Sequence, residues 1–248
     1  MSSDCPICHG TRYRLTTLEG GVVTSERCRC DLEDRGERLL GAAHIPRRYG
    51  HCTFASFEIH DPSHERARRA TQEWVELWPA VEQGLLLVGP PGTGKTHLAV
   101  AIAQELTREK SARVLFYEQR ALLKALQGTF ESGAATRESE ILGPVLDAEI
   151  LILDDLGAGR TTPWARDVMH DVIAHRYNTE RPMILTTNHE LGDGSEGQRP
   201  PERGPDAPLT LKDRLGDALM SRLHEMCRVV RLRGKDYRSW ILPHKHGA

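Results

Sequence analysis

Leu85-Leu86-Leu87-Val88-Gly89-Pro90-Pro91-Gly92-Thr93-Gly94-Lys95-Thr96-His97 is the stretch that decides the fold. Four apolar residues suit a strand buried on both faces, and residues 97–106 read as the helix that follows. The turn between them, Gly89 to Thr96, has the full spacing of a phosphate-binding P-loop. Its glycines let successive backbone N–H groups close around phosphate oxygens. Lys95 reaches the β and γ phosphates, the Thr96 hydroxyl ligates Mg²⁺, and His97 opens the helix behind the loop. That helix N-terminus adds its partial positive charge. A bare glycine turn requires neither the Lys-Thr ending nor a strand and helix at its two ends. The chain is therefore expected to bind a nucleoside triphosphate.

Downstream, strand and helix alternate as a parallel α/β sheet requires. Residues 113–117 read as a strand and 119–127 as a helix ending at Gly128-Thr129-Phe130. The run Ile150-Leu151-Ile152-Leu153 then delivers Asp154 and Asp155 at a strand's C-terminal end. In an α/β sheet the ligand sits there, so Asp154 is assigned to Mg²⁺ and Asp155 to polarising the attacking water. The next strand, 181–188, ends at the same edge, where Asn188 can hold the lytic water or the γ phosphate. Residues 192–208 carry four Gly and four Pro with almost no apolar content, a flexible surface loop in pattern. Residues 211–226 read as a helix, 229–232 as the last strand, and 234–238 close the domain.

Upstream, Ile45, Tyr49, Phe54 and Phe57 are expected to pack onto the core, either beside the adenine or as plain packing. Residues 66–78 read as an amphipathic helix with Ala70, Trp74, Leu77 and Trp78 on one stripe. The first thirty residues hold four of the six cysteines, Cys5, Cys8, Cys28 and Cys30. In a reducing compartment such clustering favours tetrahedral Zn²⁺ over disulfides, with His9 as an alternative ligand. A segment this short has little core without a metal. Cys52 and Cys227 stand alone, as small core residues do. Residues 31–40 are expected to form a short helix and 41–43 a hinge. The domains are thus 1–43, a zinc-binding element with its hinge, and 44–248, an ATPase domain.

The 248 residues allow one substantial core and a small appendage, at a net charge of -2. From 209 to 248 there are nine Lys/Arg against four Asp/Glu, a basic end that fits either a solvated face or nucleic acid. Neither a secretory leader nor an apolar run of membrane-spanning length is visible, so a cytoplasmic protein is expected.

Taken together, Ile-Pro-x-Arg-Tyr (45–49), the P-loop running on into His97-Leu98, Leu153-Asp154-Asp155-Leu156-Gly157, Thr186-Thr187-Asn188, Ser221-Arg222-Leu223 and Gly234-x-Asp236-Tyr237-Arg238 resemble the DnaC/DnaI/IstB group of AAA+ ATPases over residues 44–240. These are helicase loaders and transposase helpers. The resemblance implies an α/β fold of AAA+ type: a three-layer P-loop domain with a central, mostly parallel sheet, here preceded by the zinc-binding element. It also implies Asn188 as sensor 1, Arg222 as an arginine finger reaching a neighbouring subunit's ATP, and Arg238 as the sensor 2 arginine. Self-association on ATP and DNA follows from that finger. The cysteine cluster is similar to the zinc-bearing segments of helicase loaders, which implies a replicative helicase and single-stranded DNA as partners and helicase gripping by the N-terminal element. Transposition on duplex DNA, an adaptor with little hydrolysis, and a small-molecule kinase are the competing readings. The kinase lacks an evident substrate lid. Two aromatics in polar surroundings, Phe130 and Trp164, fall in segments that resemble channel-lining parts of the family. With Arg160 and Thr162 they are candidates for DNA contact, against the alternative that each ring caps a helix end. The loop at 192–208 is longer than the family pattern.

Overall fold

The computed structural model describes residues 5–17, 21–131, 135–159, 162–192 and 208–241. A hairpin of β1 (Tyr13–Thr17) and β2 (Val23–Arg27) leads into α1 (Arg29–Ala42). Then come α2 (Pro62–Leu77), β3 (Gly84–Val88), α3 (Lys95–Glu109), β4 (Val114–Glu118), α4 (Gln119–Glu131) and α5 (Ala135–Asp147). The second half contributes β5 (Ile150–Asp154), α6 (Pro163–Asn178), β6 (Met183–Thr187), α7 (Leu211–Leu215), α8 (Asp217–Met226) and β7 (Cys227–Arg231).

Strands β3 to β7 form one parallel sheet in the order β4-β5-β6-β3-β7. Because side chains alternate across a strand, each apolar run feeds two cores. Leu85, Leu87, Ile150, Ile152 and Ile184 face a layer containing α2 and α3. Leu86, Val88, Leu151, Leu153 and Leu185 face a layer containing α4, α6 and α8. Burying each large aliphatic side chain is worth about 1.5–3 kcal/mol, and the result is a three-layer α/β domain. The order also sets the chemistry: the C-terminal ends of β3, β5 and β6 open side by side at one sheet edge, where ligands of such sheets bind.

Helix starts follow local capping chemistry. Asp61 accepts from Ser63 N at 2.8 Å with Pro62 in the first turn, and Thr162 accepts from Ala165 N at 3.2 Å with Pro163 behind it. Four expectations need correction. Residues 41–43 are not a hinge, since Gly41 and Ala42 finish α1 and Ala43 is buried with its carbonyl bonded to Phe116 N. Helix α4 does not stop at Gly128 but runs to Glu131, since one interior glycine costs only about 1 kcal/mol and Leu126 is anchored in the core. The helix expected over 211–226 is two helices, broken at Gly216, whose φ of +88° a side chain would resist. On α2 the stripe is Ala67, Ala70, Thr71, Trp74 and Val75, whereas Leu77 is exposed because the helix ends there.

Arg176 on α6 is fully buried. Its guanidinium donates to the carbonyls of Val145 (3.1 Å), Ala148 (3.0 Å) and Pro182 (2.8 Å), tying the end of α5 to the entries of β5 and β6. Burial pushes its pKa down to about 9. Helix α1 lies against α3 so closely that a β-carbon at Gly36 would stand 2.9 Å from Arg108 Cα. The carbonyl of Ala43 accepts from Phe116 N at 2.8 Å.

Candidate nucleotide site and metal centre

The loop between β3 and α3 bends through Gly92 (φ +73°) and Gly94 (φ +92°). A β-carbon at Gly94 would meet the Phe57 ring at 2.5 Å, and one at Gly92 would collide with the Asp236 carboxylate, so both positions exclude a side chain by contact as well as by φ. Lys95 is buried and donates from Nζ to the carbonyls of Gly89 (2.8 Å) and Pro90 (2.7 Å). Burial pushes its ammonium down to about 8, while Asp154 and Asp155 pull the other way.

Asp154 ends β5 as a buried carboxylate. Its Oδ1 accepts from the hydroxyls of Thr96 (2.8 Å) and Thr186 (2.7 Å). Burial raises its pKa, and those two hydrogen bonds oppose the rise. Thr186 also accepts from Asp155 N at 2.9 Å, so one hydroxyl fixes both acids. Asp155 sits at φ +58°, a left-handed geometry that Asp tolerates better than most residues. Its Oδ1 accepts from Asn188 Nδ2 at 2.6 Å. Thr96, Asp154, Asp155 and Asn188 thus form one connected set across three strand ends.

They line a cleft of about 740 Å³ that also takes in Gly92, Thr93, Gly94, Lys95 and His97. Its other wall is the segment ahead of α2, with Tyr49, His51, Phe57 and Glu58. His97 Nε2 lies 2.8 Å from the Thr53 carbonyl, and burial lowers its pKa. Arg238 enters the same cleft on a tail clamped to the P-loop: Tyr237 N donates to Gly92 O at 3.0 Å, and Tyr237 OH donates to Glu58 Oε1 at 3.0 Å. Gly89, Pro90 and Pro91 form the entry to the loop, with Gly89 buried and both prolines exposed. The cradle, the buried ammonium and the paired carboxylates fit a triphosphate and Mg²⁺.

Arg222 is not in this cleft. It lies on α8, where Nη1 is 3.2 Å from His170 Nε2 and the guanidinium stands 5.9 Å over the Tyr177 ring. Thr162 caps α6, and Trp164 is half-buried against the α4/α6/α8 layer. Arg160, the side chain of Phe130 and residues 193–207 lie outside the described residues.

At the other end of the chain the sulfurs of Cys5, Cys8, Cys28 and Cys30 lie within 4.8 Å of one another. His9 is exposed and outside this group. Cys5 sits at about 7 because the N–H groups of Cys8 and Ile7 donate to its sulfur, while desolvation pushes Cys30 up to about 12. Four thiols so close together suit a divalent cation, and an all-sulfur tetrahedral set suits Zn²⁺. Cys52 and Cys227 are buried singly in the two apolar layers.

Sequence reasoning missed three partners. Thr186 reads as an ordinary strand residue, and its link to both acids appears only when β5 and β6 pair. Glu58 and His170 contact residues 179 and 52 positions away. No local pattern carries that information.

The model of the IstB-like ATP binding protein family matches residues 21–242. The phage-like element PBSX protein XkdC of Bacillus subtilis (strain 168) is 27% identical over 234 residues, 88% of this chain and 79% of that one. The replicative helicase loader DnaC of Escherichia coli (strain K12) is 24% identical over 204 residues, 81% of this chain and 78% of that one. A crystal structure of the DnaC helicase loader superposes with a TM-score of 0.62 at 30% identity, covering 75% of this chain and 99% of that one. Among the described residues no helix is long and apolar enough to cross a membrane.

Proposed function

We propose, from the premise that this chain belongs to the family of IstB-like ATP-binding proteins, that it is an ATPase that loads a replicative helicase onto single-stranded DNA. The observation that carries the reading is the division of the arginines: Arg238 lines the cleft that holds Lys95, Asp154 and Asp155, and Arg222 does not. An ATPase built this way is completed by a neighbour's Arg222. The similarity to the replicative helicase loader DnaC supports the choice of helicase as partner.

ATP with Mg²⁺ supplies the phosphoanhydride that water cleaves to ADP and phosphate. The chain's own residues do the rest. The P-loop amides and Lys95 hold the phosphates, and Thr96 and Asp154 are the groups that would hold the metal. Asp155, pinned by Asn188, orients the attacking water and accepts its proton. Arg238 in cis and Arg222 in trans neutralise the charge that builds on the departing phosphoryl group. The four cysteines would hold Zn²⁺ in an N-terminal element that is assigned to the helicase, with Ile7, Val22 and Val23 exposed on its surface. Phe130, Arg160, Thr162 and Trp164 are assigned to DNA.

The test is ATP turnover against protein concentration, with and without single-stranded DNA and a replicative helicase. Turnover per chain should climb with concentration and with DNA, and helicase should be recovered on the DNA. Turnover that ignores both, or co-assembly with a transposase on duplex DNA instead, overturns the loader reading.

A further inference from the structure

The N-terminal element carries a second cleft, about 480 Å³, far in sequence from the P-loop and lined by Arg12, Arg27, Asp31, Arg35, Arg38 and Leu39. Its centre is Asp31, a buried carboxylate on the first turn of α1. Asp31 Oδ1 accepts from Arg12 at 3.0 Å and Oδ2 from Arg27 at 2.9 Å. Arg27, then Arg12, hold its carboxyl below the usual carboxylate range. One buried acid thus orients two half-exposed guanidinium groups, each with further N–H donors left over.

The placement is rigid. Arg12 is held at φ +65°, with its carbonyl accepting from Cys28 N at 2.8 Å, and Arg27 directly precedes Cys28. Arg35 and Arg38 follow Asp31 at helical spacing on α1, on the side that meets the cleft. Arg35 makes no hydrogen bond or ion pair among the described residues, and the Nε of Arg38 reaches only the Asp34 carbonyl, at 3.2 Å. Among the described residues Asp34, 3.8 Å from Arg12, is the second carboxylate paired with a cleft arginine. Four guanidinium groups against two carboxylates leave the cleft positive in a chain whose net charge is -2.

An acidic peptide and a phosphate backbone would both be drawn here. The neighbouring ring decides between them. Tyr13 pairs across the hairpin with Arg27, on the same face as Leu15, and is 49% exposed. An exposed aromatic beside an arginine track is the combination that single-stranded nucleic acid uses, with stacking for the bases and guanidinium groups for the phosphates.

We propose that this arginine cleft grips the phosphate backbone of single-stranded nucleic acid, with Tyr13 as a stacking platform, making the N-terminal element a nucleic-acid contact in its own right. The proposal extends the single-stranded DNA reading to a second surface, one that works without ATP-driven assembly.

The experiment is fluorescence anisotropy of a labelled oligothymidylate with the zinc-loaded full chain, over a series of salt concentrations, without nucleotide and in a Lys95→Ala background. Arg35→Gln/Arg38→Gln leaves Asp31 with both its partners. It should flatten the plot of log affinity against log salt by about 1.4, the release expected for two single-strand phosphates. Tyr13→Ala should weaken binding about tenfold at every salt concentration and leave the slope unchanged. Zinc content should match wild type in both variants. An unchanged slope in the arginine variant overturns the proposal. So does displacement by polyglutamate as effective as by unlabelled oligothymidylate, which would give the cleft to an acidic protein surface. If Trp164→Ala alone lowers affinity, the cleft is excluded and the ATPase domain keeps its DNA role. If the arginine pair alone does so, the reverse holds.

Discussion

The sheet that carries the P-loop and the hairpin that the four cysteines flank differ in what they bury. Leu85, Leu86 and Leu87 are wholly buried, as are Ile150 to Leu153, and helices cover both faces. Tyr13, Leu15 and Val23 of the hairpin are roughly half or more exposed, and among the described residues from 5 to 28 only Cys8 and Cys28 are buried. The first region is ordered by apolar area removed from water, whereas the second has four clustered thiols and a helix leaning on α3. A region of the first kind spreads its stability over many apolar contacts. The second has little apolar area to rely on, and the proposed Zn²⁺ at its four thiols is what would order it.

The largest effect should therefore come from the metal. Structural zinc sites bind with about 10–16 kcal/mol of apparent free energy. Cys5→Ser/Cys8→Ser should free the hairpin amides to exchange with solvent while the melting temperature of the ATPase core stays close to wild type. Purified wild-type protein without zinc, or a hairpin still protected in the variant, would erase the contrast between the regions.

Next in size is Arg222→Ala, which should lower DNA-stimulated hydrolysis by about 10³ to 10⁵ and leave ATP affinity unchanged. Mixed with Lys95→Ala chains it should recover part of the rate, because the mixed interface joins an intact P-loop to an intact finger. No recovery in assemblies proven to contain both chains would place Arg222 outside catalysis.

Arg176→Met probes the core from its polar side. The buried carbonyls of Val145, Ala148 and Pro182 would lose their shared donor, at a cost of about 3 kcal/mol in denaturant unfolding. Zinc content should be untouched, and a fall in it would mean that the core and the zinc element are energetically coupled.

The smallest effect is at Trp164. Its replacement by alanine should cost about 1–3 kcal/mol of single-stranded DNA affinity, with little change in melting temperature. A strong fall in melting temperature with DNA affinity unmoved would make the ring simply part of the α4/α6/α8 layer, against which half of it already packs.

What could be read from residues alone follows the same division. A strand buried on both faces announces itself as an unbroken apolar run, so β3 and β5 were legible, and Lys95, Thr96, Asp154 and Asp155, with Asn188 from the end of β6, do meet in one cleft. The hairpin was not, because its strands bury no face: the alternation of Tyr13 and Leu15 covers only two apolar residues, and Val23 to Arg27 has none. Helix α4 reads short because Gly128 has the look of a stop, whereas a buried Leu126 outweighs one glycine. The cysteine cluster was legible as a ligand set, but the arginine cleft beside it required α1 to bring Arg35 and Arg38 next to Arg12 and Arg27. Thr186 shows the general limit, since its residue type is that of any strand and its role comes from the neighbour it faces.

Helix α3 begins at Lys95 and runs fifteen residues, about 22 Å. Its first turn is the back of the phosphate loop, and near its last turn Thr107 and Arg108 lie against Gly36 of α1 with no room for even a methyl group between them. In mechanical terms this is a rod with the triphosphate cradle at one end and the zinc element seated on the other. A bulkier residue at Gly36 would have to push α1 away from this end of α3, without touching the phosphate loop or the four cysteines.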